Sequence, residues 1–225
     1  MTLAIGGFMQ KLFLSSLMLC FMGLITYAQN LDLKPGVDRW SIKTSTVVNV
    51  KTVPITDLLQ LSNPITDYHK TEYGDKRIPT IVQPDSLKEG DIVTTTAWLH
   101  LVALERASDT HRDGDYHIQI TNSPEWGDSC FIIEVPYPDF VEDPYLKTKC
   151  AEVREFIRNR LLKGKEPGTT GNIMQHEVYV TVTGQLFFDA THLKGNPRGK
   201  KGMKSYTAWE IHPLFSIAFA PKPVN

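Results

Sequence analysis

The chain lacks the common signatures of nucleotide binding and nucleophilic catalysis. It has no GxxxxGK[ST] or GxGxxG segment to cradle a phosphate, and no GxSxG elbow to present a serine. Its net charge is −1, so no global field draws in nucleic acid or a membrane surface, and any polyanion site must be a local patch. Cysteines number three in 225 residues. One of them, Cys20, lies in the apolar run Leu12–Ile25, which falls short of the roughly 20 residues that span a bilayer comfortably.

That short run has other uses. Lys11 precedes it and Thr26-Tyr27-Ala28 follows it, the charged, apolar and small-residue sections of a secretory signal. The expectation is a leader over residues 1–28, with Met9 as a natural start and cleavage after Ala28. The mature protein is then periplasmic or extracellular and keeps no membrane anchor. Leu19 ahead of Cys20 argues against lipid attachment. Cleavage leaves Cys130 and Cys150, too far apart in sequence for a zinc site. In an oxidising compartment they either pair, adding roughly 3 kcal/mol by closing the loop between them, or stay as two separate buried thiols.

Residues 29–89 read as an N-terminal extension, broken by prolines at 35, 54, 64, 79 and 84. Ser41–Val53 suits one extended strand, Ile55–Leu61 a short helix that must pack on something, and 63–88 a surface crossing. From Gly90 the text turns β-rich. Asp91–Arg106, Tyr116–Thr121 and Cys130–Val135 read as three strands, the second alternating cleanly between apolar and polar. A helix follows, with Pro144 near its start and Leu146, Val153, Phe156, Ile157, Leu161 and Leu162 as its apolar stripe. Lys163 and Gly164 close it. Two more strands lie between His176 and Phe219, with Gly184 marking a bend or a close backbone approach. Strand, strand, strand, helix, strand, strand predicts a mainly β fold over 90–225, with one central helix: an OB-fold-like five-stranded barrel.

The stretches DGDYHIQI (113–120), FIIEVPYPD (131–139), VTVTGQLFFDATH (180–192) and WEIHPLFSI (209–217) together resemble a family of secreted bacterial OB-like proteins. The resemblance implies this architecture and export, and no activity. Asp113-Gly114-Asp115 also resembles the calcium segment of staphylococcal-type thermonucleases. That likeness implies Asp115 as a metal carboxylate and a further acid near Asp139. The third strand departs from it, carrying Glu134 where an arginine is needed.

Two constellations can carry chemistry. Between the last two strands lies a basic loop with Lys194, Arg198, Lys200, Lys201 and Lys204, followed by Tyr206 and Trp209. In an OB barrel this loop borders the usual binding face; its cations suit phosphates, and its aromatic rings suit bases or sugars. A solvated loop kept soluble by its charges would look the same. The second is a scatter of Asp115, His117, Glu134, Asp189, His192, Glu210 and His212. Asp115, His117, Glu210 and His212 form a divalent-metal set if the second and last strands bring them together; ordinary polar positions on half-exposed strands are the alternative. The expected function is therefore an exported, non-enzymatic binding module, with a polyanion such as nucleic acid or an acidic glycan held at 194–204 and no obligatory cofactor. The competing expectation is a metal-dependent phosphodiesterase or nuclease-like hydrolase.

Overall fold

The computed structural model describes residues 39–45, 50–65, 76–82, 84–105, 113–193 and 197–224. The leader at 1–28 and Lys194 lie outside them. Alternating apolar residues wrap six strands into one sheet: β1 (Val50–Thr52), β2 (Ile92–Leu104), β3 (Tyr116–Thr121), β4 (Phe131–Val135), β5 (Asn172–Phe188) and β6 (Trp209–Phe219). The sheet runs β1-β2-β3-β4-β6-β5, and β5 returns to pair with β2. That last pairing closes a five-stranded mixed barrel, in which β4 and β6 run parallel and the other barrel pairs antiparallel. The fold is mainly β and OB-like.

Period-2 alternation sends Tyr116, Ile118, Ile120, Phe131, Ile133, Val135, Trp209 and Ile211 into the core, where each is essentially fully buried. Gly184 allows the closest strand approach. A Cβ there would stand 2.3 Å from Ile211 Cγ2 and 2.5 Å from the Pro213 carbonyl, so no side chain fits, and the β5–β6 register shifts on either side of it.

The long helix, α3 (Pro144–Phe156), continues as a π-helical turn over Ile157–Leu161. Asp143 caps it by accepting from the Leu146 amide at 2.8 Å, and Pro144 fills a first-turn position that needs no donor. Leu146, Cys150, Val153 and Ile157 face the barrel core. Among the described residues no helix is long and apolar enough to cross a membrane.

The extension departs from expectation. Ser41–Lys43 belongs to a one-turn helix, α1 (Trp40–Lys43), and among the described residues of the expected strand β1 alone is extended, pairing parallel with β2. The short helix α2 (Ile55–Leu58) buries Ile55 and Leu58. The physical reason is anchoring. Arg39, just before α1, forms a buried bidentate pair with Glu89 at 2.9 and 2.6 Å and donates to the Phe188 and Lys76 carbonyls. The Trp40 indole donates to the Phe140 carbonyl. Tertiary bonds on this scale override weak strand propensity.

Cys130 and Cys150 form no disulfide; both are free and buried. Cys130 packs with Leu101, Ala103 and Met203, whereas Cys150 belongs to the main core. The two thiols therefore sit in different packing compartments.

Candidate functional site

The alternation of β3, β4 and β6 points His117, Gln119, Glu134, Glu210 and His212 away from the core, as if toward water. Yet His117 is 4% exposed, Glu134 5%, and Gln119, Glu210 and His212 0%. The outer face of these strands is itself covered. Two pieces cover it: α1 from the extension, and residues 198–207, folded back as a flap. In OB barrels this face and its bordering loops are where ligands are held.

The flap is fastened to the barrel by its backbone. The Gln119 amide donates to the Lys200 carbonyl and accepts from the Lys200 amide. Lys204 and Ser129 form a parallel bridge, with Cys130 N donating to the Lys204 carbonyl. Gly199, at φ 135°, approaches the flap's own backbone, since a Cβ there would lie 2.1 Å from the Met203 carbonyl. Its freedom serves the flap's turn and not a ligand.

Under these covers lies a network of ionisable groups. His117 and Glu134 face each other in register across β3 and β4. Glu134 is shared: Oε1 lies 3.2 Å from His117 Nδ1, while Oε2 lies 3.3 Å from Lys43 Nζ and 3.9 Å from His212 Nε2. Asp115 Oδ2 meets His212 Nε2 at 2.9 Å, and Asp115 Oδ1 accepts from the Tyr137 amide. His117 Nδ1 is also 3.2 Å from Glu105, at the end of β2. The Lys43 ammonium lies within 4.0 Å of Asp115, Glu134 and Glu210.

The electrostatics follow from this crowding. Burial alone would raise Glu134, but the Lys43 charge and the bond to His117 outweigh it and hold the carboxyl well below the usual range. Burial would discharge Lys43, but Glu134, Glu210 and Asp115 keep its ammonium well above its ordinary value. Burial also opposes a charge on His117, yet the bonds from Glu105 and Glu134 lift it to about 9. Glu210 is pushed up to about 7 by burial and by the Glu134 charge. Asp113 is pushed up to about 8, by burial and by Asp115.

Two sets of three ligand atoms each lie within 4.8 Å of one another: Asp115, Glu134 and His212, and Glu105, His117 and Glu134. Carboxylate oxygen plus imidazole nitrogen is a donor set for zinc, manganese or a similar divalent ion. A search of protein-family models and of curated proteins finds no match to the chain. The site must therefore be read from its own chemistry.

The residues expected from sequence are distributed as follows. Asp115 and His212 meet, with Glu134 as their third partner. His117 belongs to the neighbouring set and shares Glu134. Glu210 belongs to neither, since its Oε2 accepts from Arg198 at 2.6 Å. Arg198 turns inward, pairing also with Asp189 at 3.2 Å, and its side chain is 8% exposed. Lys200 is half-buried and lies 3.9 Å from Glu105; Lys201, Lys204 and Tyr206 are exposed. Asp139 stands apart, an exposed partner of Lys147. Sequence reasoning missed Lys43, Glu105 and Gln119. Lys43 lay in a stretch with strand-like text, and the only signal for Gln119 was its phase, two residues from His117.

Proposed function

We propose that this OB-like barrel is a divalent-metal-dependent phosphodiesterase whose metal is held by Asp115, Glu134 and His212. The observation behind this reading is the convergence of those three side chains, from the β3 entry, β4 and β6, on a polar patch that the alternation directs outward but the fold keeps dry. A metal there would polarise a phosphoryl oxygen and activate water. His117, 3.2 Å from Glu134 Oε1, would offer a proton or a positive charge to the developing oxyanion. Lys200, Lys201 and Lys204 on the flap would draw a polyanionic substrate to the rim. Asp115 is also the residue that the likeness to thermonucleases marks as a metal carboxylate. We propose as well that the protein acts outside the cytoplasm after cleavage behind Ala28, which N-terminal sequencing of recovered protein checks.

The test is hydrolysis of bis(p-nitrophenyl) phosphate and of single-stranded DNA with added Mn²⁺ or Zn²⁺. Turnover should vanish with chelator, and Glu134→Gln should lower Mn²⁺ affinity by at least about 100-fold, the upper end of what outer partners of a metal ligand contribute. Protein that takes up neither metal overturns the proposal. A second reading, a non-catalytic polyanion-binding module, draws on Lys201, Lys204 and Tyr206 being exposed together on the flap. It requires that Lys200→Glu with Lys201→Glu weaken heparin or single-stranded DNA binding; unchanged binding removes it.

A further inference from the structure

Lys43 reaches the site from α1, and its ammonium stands between carboxylates of three separate segments. It lies 3.3 Å from Glu134, 3.8 Å from Glu210 and 4.0 Å from Asp115. An ammonium has three donors to place, yet its hydrogen bond to a carboxylate is the 3.3 Å one to Glu134. Glu210 Oε1 is fully buried, faces this ammonium, and has no hydrogen-bond partner among the described residues. The Lys43 charge is shared among three acids at distances longer than good ion pairs adopt, while the other oxygens of Glu210 and Glu134 turn to Arg198 and His117.

The same residue acts on His212 through its backbone. His212 Nδ1 lies 2.9 Å from the Lys43 carbonyl. A carbonyl only accepts, so Nδ1 carries the hydrogen. Nε2 lies 2.9 Å from Asp115 Oδ2, a hydrogen bond that needs a proton between the two atoms, and 3.9 Å from Glu134 Oε2. A metal that replaced this proton would find Nε2 and the two carboxylates already gathered, with the other ring nitrogen donating to a backbone carbonyl as in metal-ligating histidines.

We infer that Lys43 is an internal stand-in for a divalent cation: its ammonium competes for Glu134 Oε2 and Asp115 Oδ2 with a metal held by Asp115, Glu134 and His212. This rests on the metal reading above and adds how the site is held without metal. Rotation of the Lys43 side chain, with α1 left in place, exchanges one cation for the other. The carbonyl that orients His212 stays put, and Glu210 becomes available as a further oxygen ligand.

The experiment uses Mn²⁺ alone with the full chain and a Lys43→Met variant, followed by titration calorimetry. The variant should bind Mn²⁺ at least tenfold more tightly than the wild type, and Mn²⁺ should raise its unfolding temperature more. Equal affinity in the two folded proteins overturns the inference. Should Lys43→Met fail to fold, the wild type decides. Acetic anhydride should acetylate Lys43 several-fold faster when Mn²⁺ is present, as read by peptide mass spectrometry, and an unchanged rate overturns the exchange. The two proposals fail separately. Tighter Mn²⁺ binding without phosphodiester hydrolysis keeps the exchange and removes the hydrolase; metal-dependent hydrolysis with unaltered affinity does the reverse.

Discussion

Two buried ion networks lie a few residues apart in this molecule, and they are built differently. Around Glu89 each carboxylate oxygen has two donors: Oε1 accepts from Arg39 and the Phe188 amide, Oε2 from Arg39 and the Ile78 amide. Around Lys43 the ammonium stands 3.3 to 4.0 Å from its acids, and one Glu210 oxygen has no hydrogen-bond donor among the described residues. The first network gives both oxygens of its carboxylate a full set of donors, as a structural joint should, and leaves only the Arg39 Nε donor without a hydrogen-bond partner among its described guanidinium and carboxylate atoms. The second is acid-rich and underfilled. Strain left in a polar network points to a site whose final partner is exchangeable.

The contrast can be broken most forcefully at Glu89. Glu89→Gln leaves the Arg39 guanidinium buried without its countercharge and should cost about 3–5 kcal/mol in urea denaturation. Glu134→Gln should cost less, about 1–3 kcal/mol, because Lys43 keeps Glu210 and Asp115. Equal losses would erase the distinction between joint and site. The second prediction concerns pH. His117 has its pKa raised from 6.5 to about 9, so its contribution is complete below pH 6.5 and is lost as pH rises through about 9. Glu210 and Asp113, raised to about 7 and about 8, favour their neutral forms, so ionising them also removes stability as pH rises. Unfolding free energy in chelator should therefore fall from pH 6.5 to 9, and His117→Gln should flatten that fall. A profile identical in wild type and variant would separate His117 from the network. The smallest effect belongs outside both networks: Lys147→Ala breaks the exposed 3.0 Å pair with Asp139 and should change stability by less than about 1 kcal/mol.

The barrel was legible because its signals are local. The alternation over Tyr116–Thr121, the helical stripe from Leu146 onward and the bend at Gly184 each carry their meaning within a few residues, and the strand order follows from them. The site was legible in half. Phase placed Glu210 and His212 on one face of β6, and placed His117 on the outer face of β3. It did not show that β4 lies between them, which makes Glu134 the shared group. Nor did it reveal that Arg198 pairs with Glu210 and Asp189, since an inward turn of a loop cation is set by carboxylates on other segments. Lys43 was invisible for the same reason. Long-range bonds bring α1 onto the barrel, among them the Arg39–Glu89 joint and the Trp40–Phe140 bond, and no periodicity encodes them.

The placement of the two thiols has a use of its own. Burial first, in both cases, pushes Cys130 and Cys150 to about 12, so neither is an effective nucleophile while its compartment stays closed. Cys130 lies beneath Met203 of the flap, and Cys150 lies in the main core between α3 and the Leu214 carbonyl. An alkylating reagent thus meets two clocks in one chain. The rate at Cys130 should follow opening of the compartment it shares with Leu101, Ala103 and Met203, and the rate at Cys150 should follow opening of the main core.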